Sequence, residues 1–195
     1  MSRITPAGIQ PVLIALGANL PDRGTPPSET LLEALATLTR AAPGFRVLRQ
    51  SRLYRTPCFP PGAGPDYVNA AAALQGPDDP EALLDLLHRI EASHGRRRET
   101  RWGMRTLDLD LLAMGQTVLP DAGTHGAWRR LDPMQQARAA PDRLILPHPR
   151  MQDRAFVLVP LREIAPDWVH PVLKLSVAQM CDALPAEARA EVVPL

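Results

Sequence analysis

Leu107-Asp-Leu-Asp-Leu111 alternates leucine and aspartate with a period of two, which an extended strand with two unlike faces satisfies and a helix does not. Such a strand must bury its leucines on one side and present its acids on the other. The rest of the chain therefore has to supply a sheet for this strand and an apolar layer for its leucine face.

The chain supplies both. Ile9 to Leu16, with Val12 and Ile14 and ending at Gly17, predicts a buried first strand and a tight turn. Ser28 is placed as an N-cap, with Leu31, Leu35 and Leu38 on one helical face until Pro43-Gly44 ends the helix. Phe45 to Tyr54 and Tyr67 to Leu74 predict the second and third strands. Asp79-Pro80 caps a second helix that carries Leu83, Leu87 and Ile90 toward Gly95. With the Leu/Asp strand the order is β-α-β-β-α-β, an α+β ferredoxin-like sandwich. In that arrangement helices cover one face of a mainly antiparallel sheet and leave the other for a site. The last third reads as a C-terminal extension with helices near Phe156 to Ile164 and Ser176 to Leu184. Residues 116–142, with Gly123, Gly126, Pro133 and Pro141 and no clear apolar period, read as an inserted loop.

Length fits one fold: 195 residues suffice for a single buried core, so one domain over residues 1–195 is expected. The 22 basic and 21 acidic residues leave a net charge of +1, which offers no chain-wide attraction for nucleic acid or an anionic membrane. Cys58 and Cys181 form no CxxC pair, which argues against a metal knuckle or dithiol site and fits a reducing compartment. Met1 to Pro11 has no long apolar run, and no later stretch reaches the roughly 18–20 apolar residues that span a bilayer. A cytoplasmic protein is expected.

Asp108 and Asp110 would lie on one strand face, about 6–7 Å apart at Cα. Mg²⁺ takes hard oxygen ligands, often just one or two carboxylates, and completes its shell with water and substrate phosphates. An exposed charged strand face would show the same pattern, and the pair alone does not decide. The segment before it changes the balance. Gly95 to Arg105 holds five arginines against one acid, and guanidinium groups that bind phosphate bidentately suit a polyphosphate substrate. A solvated basic loop is the bland alternative.

Within that segment Trp102 could stack on a flat heterocycle or anchor the loop, while Tyr67 and Asn69 share a strand face on which an amide can read a heteroaromatic edge. Phe59 and Phe156 each read alone as core. His148, between Pro147 and Pro149, has Arg143 before it and Arg150 and Arg154 after it, a second basic site without zinc-ligand spacing. No GxxxxGK[ST] loop is present, so any nucleotide is held another way.

Several ordered motifs complete the reading: Leu16-Gly-Ala-Asn-Leu20, Tyr54-Arg-Thr-Pro57, Pro65-Asp-Tyr-Val-Asn-Ala70, Arg89-Ile-Glu91, Arg101 through Leu111, and Pro147-His148 followed by Arg154 and Phe156. Together they resemble the 6-hydroxymethyl-7,8-dihydropterin pyrophosphokinase family over nearly the whole chain. The resemblance implies transfer of the β,γ-pyrophosphoryl group of ATP to the pterin hydroxymethyl oxygen, leaving AMP, with two Mg²⁺ ions bridged by Asp108 and Asp110. It places Thr56, Pro57, Phe59, Tyr67, Asn69, Trp102 and Phe156 around the pterin, and Glu91, Arg98, Arg143, His148 and Arg154 near ATP. Arg96 and Arg105 would stabilise charge during transfer. The partners implied are ATP and the pterin, with no nucleic acid and no membrane, and a monomer is expected. Loops at 17–27, 56–65 and 95–101 would close over the substrates.

The chain departs from the family pattern at Met104, often Pro, at Ala18, often Ser, and in the length of 116–142. Two rivals share part of this pattern. A ferredoxin-like RNA-binding module shares the fold, but only 4% of the chain is aromatic and paired acids repel a phosphate backbone. A metal-dependent nucleotidyltransferase could also use an Asp-x-Asp strand.

Overall fold

A computed structural model describes residues 11–41, 44–58, 62–76, 78–95, 105–132, 135 and 141–195. The chain runs through β1 (Val12–Ala18), α1 (Pro27–Ala41), β2 (Arg46–Gln50), β3 (Tyr54–Thr56), β4 (Tyr67–Gln75), α2 (Pro80–Ser93) and β5 (Asp108–Met114). It continues through α3 (Ala122–Arg130), a short 3₁₀ turn, α4 (Ala155–Ile164), α5 (Val177–Asp182), α6 (Ala186–Ala190) and β6 (Val193–Pro194).

The sheet order is β5-β1-β4-β3-β6, with β2 also on β4, and its pairings are antiparallel. One expected strand, 45–54, is two. Gln50 pairs with Ala72 but Tyr54 with Asn69, a register that slips by one across Ser51–Leu53. The slip is held in place by Ser51, whose N–H reaches the Ala71 carbonyl at 3.0 Å while its Oγ accepts the Ala71 N–H at 2.9 Å. A side chain has replaced a ladder partner, and the strand kinks there.

Leu31, Leu35 and Leu38 of α1 and Leu83, Leu87 and Ile90 of α2 bury against Leu107, Leu109 and Leu111, as the leucine face requires. Each such side chain contributes about 1.5–3 kcal/mol relative to exposure. The α2 cap is as expected: Asp79 accepts from Glu81 N and Ala82 N, with Pro80 first in the helix. The α1 cap is not. Ser28 lies inside the helix, which begins at Pro27, because a proline without an N–H is suited to the first helical position.

The second sheet face is also covered, against the expectation of helices on one face alone. Leu13, Ala15, Ala71, Ala73, Leu112 and Ala113 pack against Val157, Leu158, Leu161 and Ile164 of α4 and on to Val177, Met180 and Cys181 of α5. The small alanines of β1 and β4 let α4 lie close, and beyond them Asp108 and Asp110 keep side-chain accessibility of 25% and 30%. The inserted stretch is not structureless either: Asp121 caps α3 by accepting the Thr124 N–H at 2.9 Å. The C-terminal helices fall where expected, and Ser176 and Gln179 form a reciprocal capping box on α5.

Candidate active site

Strand register assembles one end of the sheet. Gly17 is paired with Asn69 on one side and with Asp108 on the other, so three strands place Asn69, Gly17 and Asp108 in one row. Ala15 is likewise paired with Asp110. Directly opposed residues point to the same face, so the two acids and Asn69 share the α4 side of the sheet, about 9–10 Å apart across two strand spacings. Gly17 keeps the gap clear: a Cβ there would stand 2.9 Å from Asn69 Oδ1.

The acids are partly exposed, with side-chain accessibilities of 25% at Asp108 and 30% at Asp110, and each meets an arginine. Arg105 pairs with Asp108, and Arg154 Nη1 donates to Asp110 Oδ2 at 3.1 Å. Burial opposes the charge on Arg105, but Asp108 outweighs it and raises the guanidinium pKa. Arg154 stands at the start of α4 with its Cζ 5.7 Å from the ring centre of Phe156, which is half-exposed. Across the row, Asn69 is buried and its Nδ2 donates to Thr56 Oγ1 at 2.7 Å. Tyr67 lies within the field of Arg105 and Asp108, and burial pushes its phenol pKa up. Pro57 is exposed beside buried Cys58.

His148 follows the cis Leu146–Pro147 bond, and its N–H donates to Leu112 O at 2.8 Å. Its Nδ1 accepts the Arg150 N–H at 3.1 Å, which leaves the proton of the neutral ring on Nε2. Burial, reinforced by Arg154, lowers its pKa to about 4, so the ring is a neutral donor near pH 7. Glu91 is fully buried on α2 and accepts the Leu109 N–H at 2.8 Å, between the two acids of β5. Arg143 is exposed and bonds to Asp142 at 3.3 Å, lining an open cavity with Glu81, Leu119, Pro120 and Leu144 rather than meeting the acid pair. Phe59, Arg96, Arg98, Trp102 and Met104 lie outside the described residues.

The sequence singles out Asn19 only as part of the Leu16–Leu20 motif, without a role. This residue is buried at the end of β1, its Nδ2 donates to Pro65 O at 3.1 Å, and its Oδ1 accepts the Arg105 N–H at 2.7 Å. Sequence reasoning passed over the Asp22–His94 contact, in which His94 Nδ1 bonds to Asp22 Oδ2 at 2.9 Å and joins the turn after β1 to the end of α2. Both ties span dozens of residues, and no local pattern encodes them.

An α+β fold whose sheet sets arginine-paired acids beside a hydrogen-bonded amide has the chemistry of a phosphate-handling site. The comparisons sharpen that reading. The sequence model for 7,8-dihydro-6-hydroxymethylpterin-pyrophosphokinase matches residues 13–166, and the chain belongs to that family. It is similar to the 2-amino-4-hydroxy-6-hydroxymethyldihydropteridine pyrophosphokinase of Synechocystis, 38% identical over 93% of this chain and 80% of the relative. The enzyme of that name from Pseudomonas aeruginosa is 40% identical over 84% of this chain and 85% of its own length. Among solved structures, wild-type Plasmodium falciparum HPPK-DHPS superposes with a TM-score of 0.60 at 12% identity, which speaks to fold. The match covers 92% of this chain and 45% of that one, so this chain spans under half the length of the Plasmodium protein. The chain is accordingly a pyrophosphokinase by family. Among the described residues, no helix is long and apolar enough to cross a membrane.

Proposed function

We propose that the chain transfers the β,γ-pyrophosphoryl group of ATP to the hydroxymethyl oxygen of 6-hydroxymethyl-7,8-dihydropterin, releasing AMP, from one site within a single domain and with Mg²⁺ held by Asp108 and Asp110. The observation that carries this is the row Asn69–Gly17–Asp108: an amide suited to a planar heterocycle and an acid suited to a phosphate-bound cation, separated by a residue with no side chain.

The acid pair fits Mg²⁺. Both side chains offer hard oxygen donors from one strand face and are open to solvent, and no group of three or more His, Cys, Asp or Glu gathers among the described residues. Two carboxylates would match the ion's preference for few protein oxygens with the rest from water and phosphate, and the family resemblance implies two ions held by the pair. When bound, Mg²⁺ offsets phosphate charge and lowers the pKa of a hydroxyl bound to it.

Every other part is played by side chains. Thr56 holds Asn69 in one orientation, so the amide presents fixed donor and acceptor positions to the pterin edge. Tyr67, Pro57 and Phe156 flank that edge, and the family resemblance assigns Phe59 and Trp102 to the pterin as well. Arg105 and Arg154 stand at the acids, from where their guanidiniums would be within reach of phosphate oxygens if the carboxylates held a cation. They and Arg96 stabilise the charge that develops on the transferring group, which in phosphoryl transfer is most of what a protein must supply. His148 donates from Nε2 as a neutral ring, and Glu91 fixes β5 between the two acids through the Leu109 N–H; Arg98 and Arg143 are given to the nucleotide by the family resemblance alone.

Incubation with ATP, Mg²⁺ and the pterin, with identification of the nucleotide product, tests this. AMP is expected; ADP would indicate ordinary kinase chemistry, and pyrophosphate release would indicate nucleotidyl transfer. Asp110→Ala should lower turnover on the order of a thousandfold with an unchanged far-ultraviolet circular dichroism spectrum. Near-normal turnover would sink the metal assignment.

A further inference from the structure

We infer that Asn19 is a positioning residue for the reaction, a single buried amide that fixes the stem of Arg105 and the entry to the pterin-side strand β4 relative to each other. The inference rests on the pyrophosphokinase reading and adds to it a residue without substrate contact.

The geometry is specific. Asn19 is 2% exposed, and its side chain spends one group on each of two segments that no regular element joins. Its Nδ2 donates to Pro65 O at 3.1 Å, two residues before Tyr67 begins β4. Its Oδ1 accepts the Arg105 N–H at 2.7 Å, while the Arg105 carbonyl takes N–H bonds from Asn19 at 2.9 Å and Leu20 at 3.1 Å. Arg105 is thus gripped on both sides of its Cα by the end of β1, three residues before Asp108, to which its guanidinium is paired. The stem of a long flexible side chain is fixed at its root, which lowers the cost of holding its charge in place.

An amide is the side chain this position requires. It must donate in one direction and accept in the other, and Asn offers both from one small planar group that needs no choice of tautomer. The extra methylene of Gln would push the amide past partners already at hydrogen-bond distance. An aliphatic side chain would leave the Arg105 N–H and the Pro65 carbonyl unpaired in a buried place. Asp at this position keeps the acceptor for Arg105 and, when ionised, loses the donor for Pro65, so it separates the two ties.

The experiment compares the full-length wild type with Asn19→Ala and Asn19→Asp at pH 8, with Asp79→Ala as a control that weakens the fold at a helix cap away from the site. Steady-state kinetics are read for both substrates, and amide hydrogen exchange is read at Arg105. Asn19→Ala is expected to lower kcat on the order of tenfold to a hundredfold, raise the pterin KM and speed exchange at Arg105. Asn19→Asp is expected to raise the pterin KM about tenfold with kcat within about twofold and exchange at Arg105 unchanged. Asp79→Ala should change none of these in the folded protein.

A folded Asn19→Ala with wild-type kcat, KM and exchange would overturn the inference, as would losses that only track the unfolded fraction. Should Asn19→Ala fail to fold, Asn19→Asp decides: an unchanged pterin KM overturns the inference and a raised one upholds it. A wild type that forms no AMP would sink the pyrophosphokinase reading instead. Exchange at Arg105 would then still report whether the tie exists.

Discussion

Gly17 shows how a single missing side chain sets the site. It lies in an extended strand, so backbone freedom is not the reason for glycine; space is. A Cβ at this position would fall 2.9 Å from Asn69 Oδ1, and Asn69 cannot simply swing aside because its Nδ2 is bonded to Thr56 Oγ1 at 2.7 Å. Gly17→Ala should therefore displace the amide and raise the pterin KM by about tenfold, while costing roughly 1 kcal/mol of stability. Kinetics for each substrate, with the midpoint of urea unfolding, would check it; an unchanged pterin KM would show that Asn69 has other room. At this scale the sequence was legible only where the cause is local. The alternation at 107–111 announced that Asp108 and Asp110 share a face, because side-chain period follows from backbone geometry. The arginine at each acid was announced as basic composition only, since Arg154 reaches Asp110 across 44 residues of chain.

Elements divide the same way, by whether their determinants lie inside them. The start of α2 carries its own instruction: Asp79 accepts two of the helix's free N–H groups and Pro80 has none to lose. Asp79→Ala should cost about 1 kcal/mol in urea unfolding and leave kcat and both KM values unchanged, since the cap lies at the opposite end of α2 from Glu91. A change in KM would mean the helix shifts as a body. By contrast, the break between β2 and β3 is imposed from outside, by Ala71 of β4 bonding to Ser51 through both backbone and hydroxyl, and residues 45–54 show no trace of it. The helix α3 was unreadable for a related reason. Its sequence, AGTHGAWRR, has two glycines and no leucine-like stripe, and its buried residues are His125 and Gly126. Tertiary burial, with the Asp121 cap, forms a helix that local propensity would not.

On the scale of the whole molecule, the last third covers the second sheet face and so decides how much of that face remains for a site. The insertion joins this layer through an unusual contact: His125 of α3 and His170 after α4 are both fully buried, with ring centres 5.4 Å apart, and Trp168 stands 5.8 Å from His170. His170 Nδ1 accepts N–H bonds from Val172 at 3.1 Å and Leu173 at 3.2 Å, so its ring is held neutral with the proton on Nε2. Burial, then His125 and Arg129, lower the His170 pKa from 6.5 to about 4, and burial lowers that of His125 in the same direction. The unfolded chain therefore binds more protons than the folded one in this interval, and stability must rise with pH across it. The contribution is intact above 6.5 and is lost progressively as pH falls toward about 4. Protonation would place two cations beside Arg129 in a buried layer, and α3 is the element placed to yield, since its buried residues are His125 itself and Gly126. Carboxylates elsewhere also weaken the fold in acid, so the informative quantity is a difference. His170→Asn keeps an acceptor for Val172 and Leu173 but cannot protonate. The loss in urea midpoint between pH 7.5 and pH 4.5 should be smaller in this variant than in the wild type, and equal losses would show that the buried histidines do not carry the acid sensitivity.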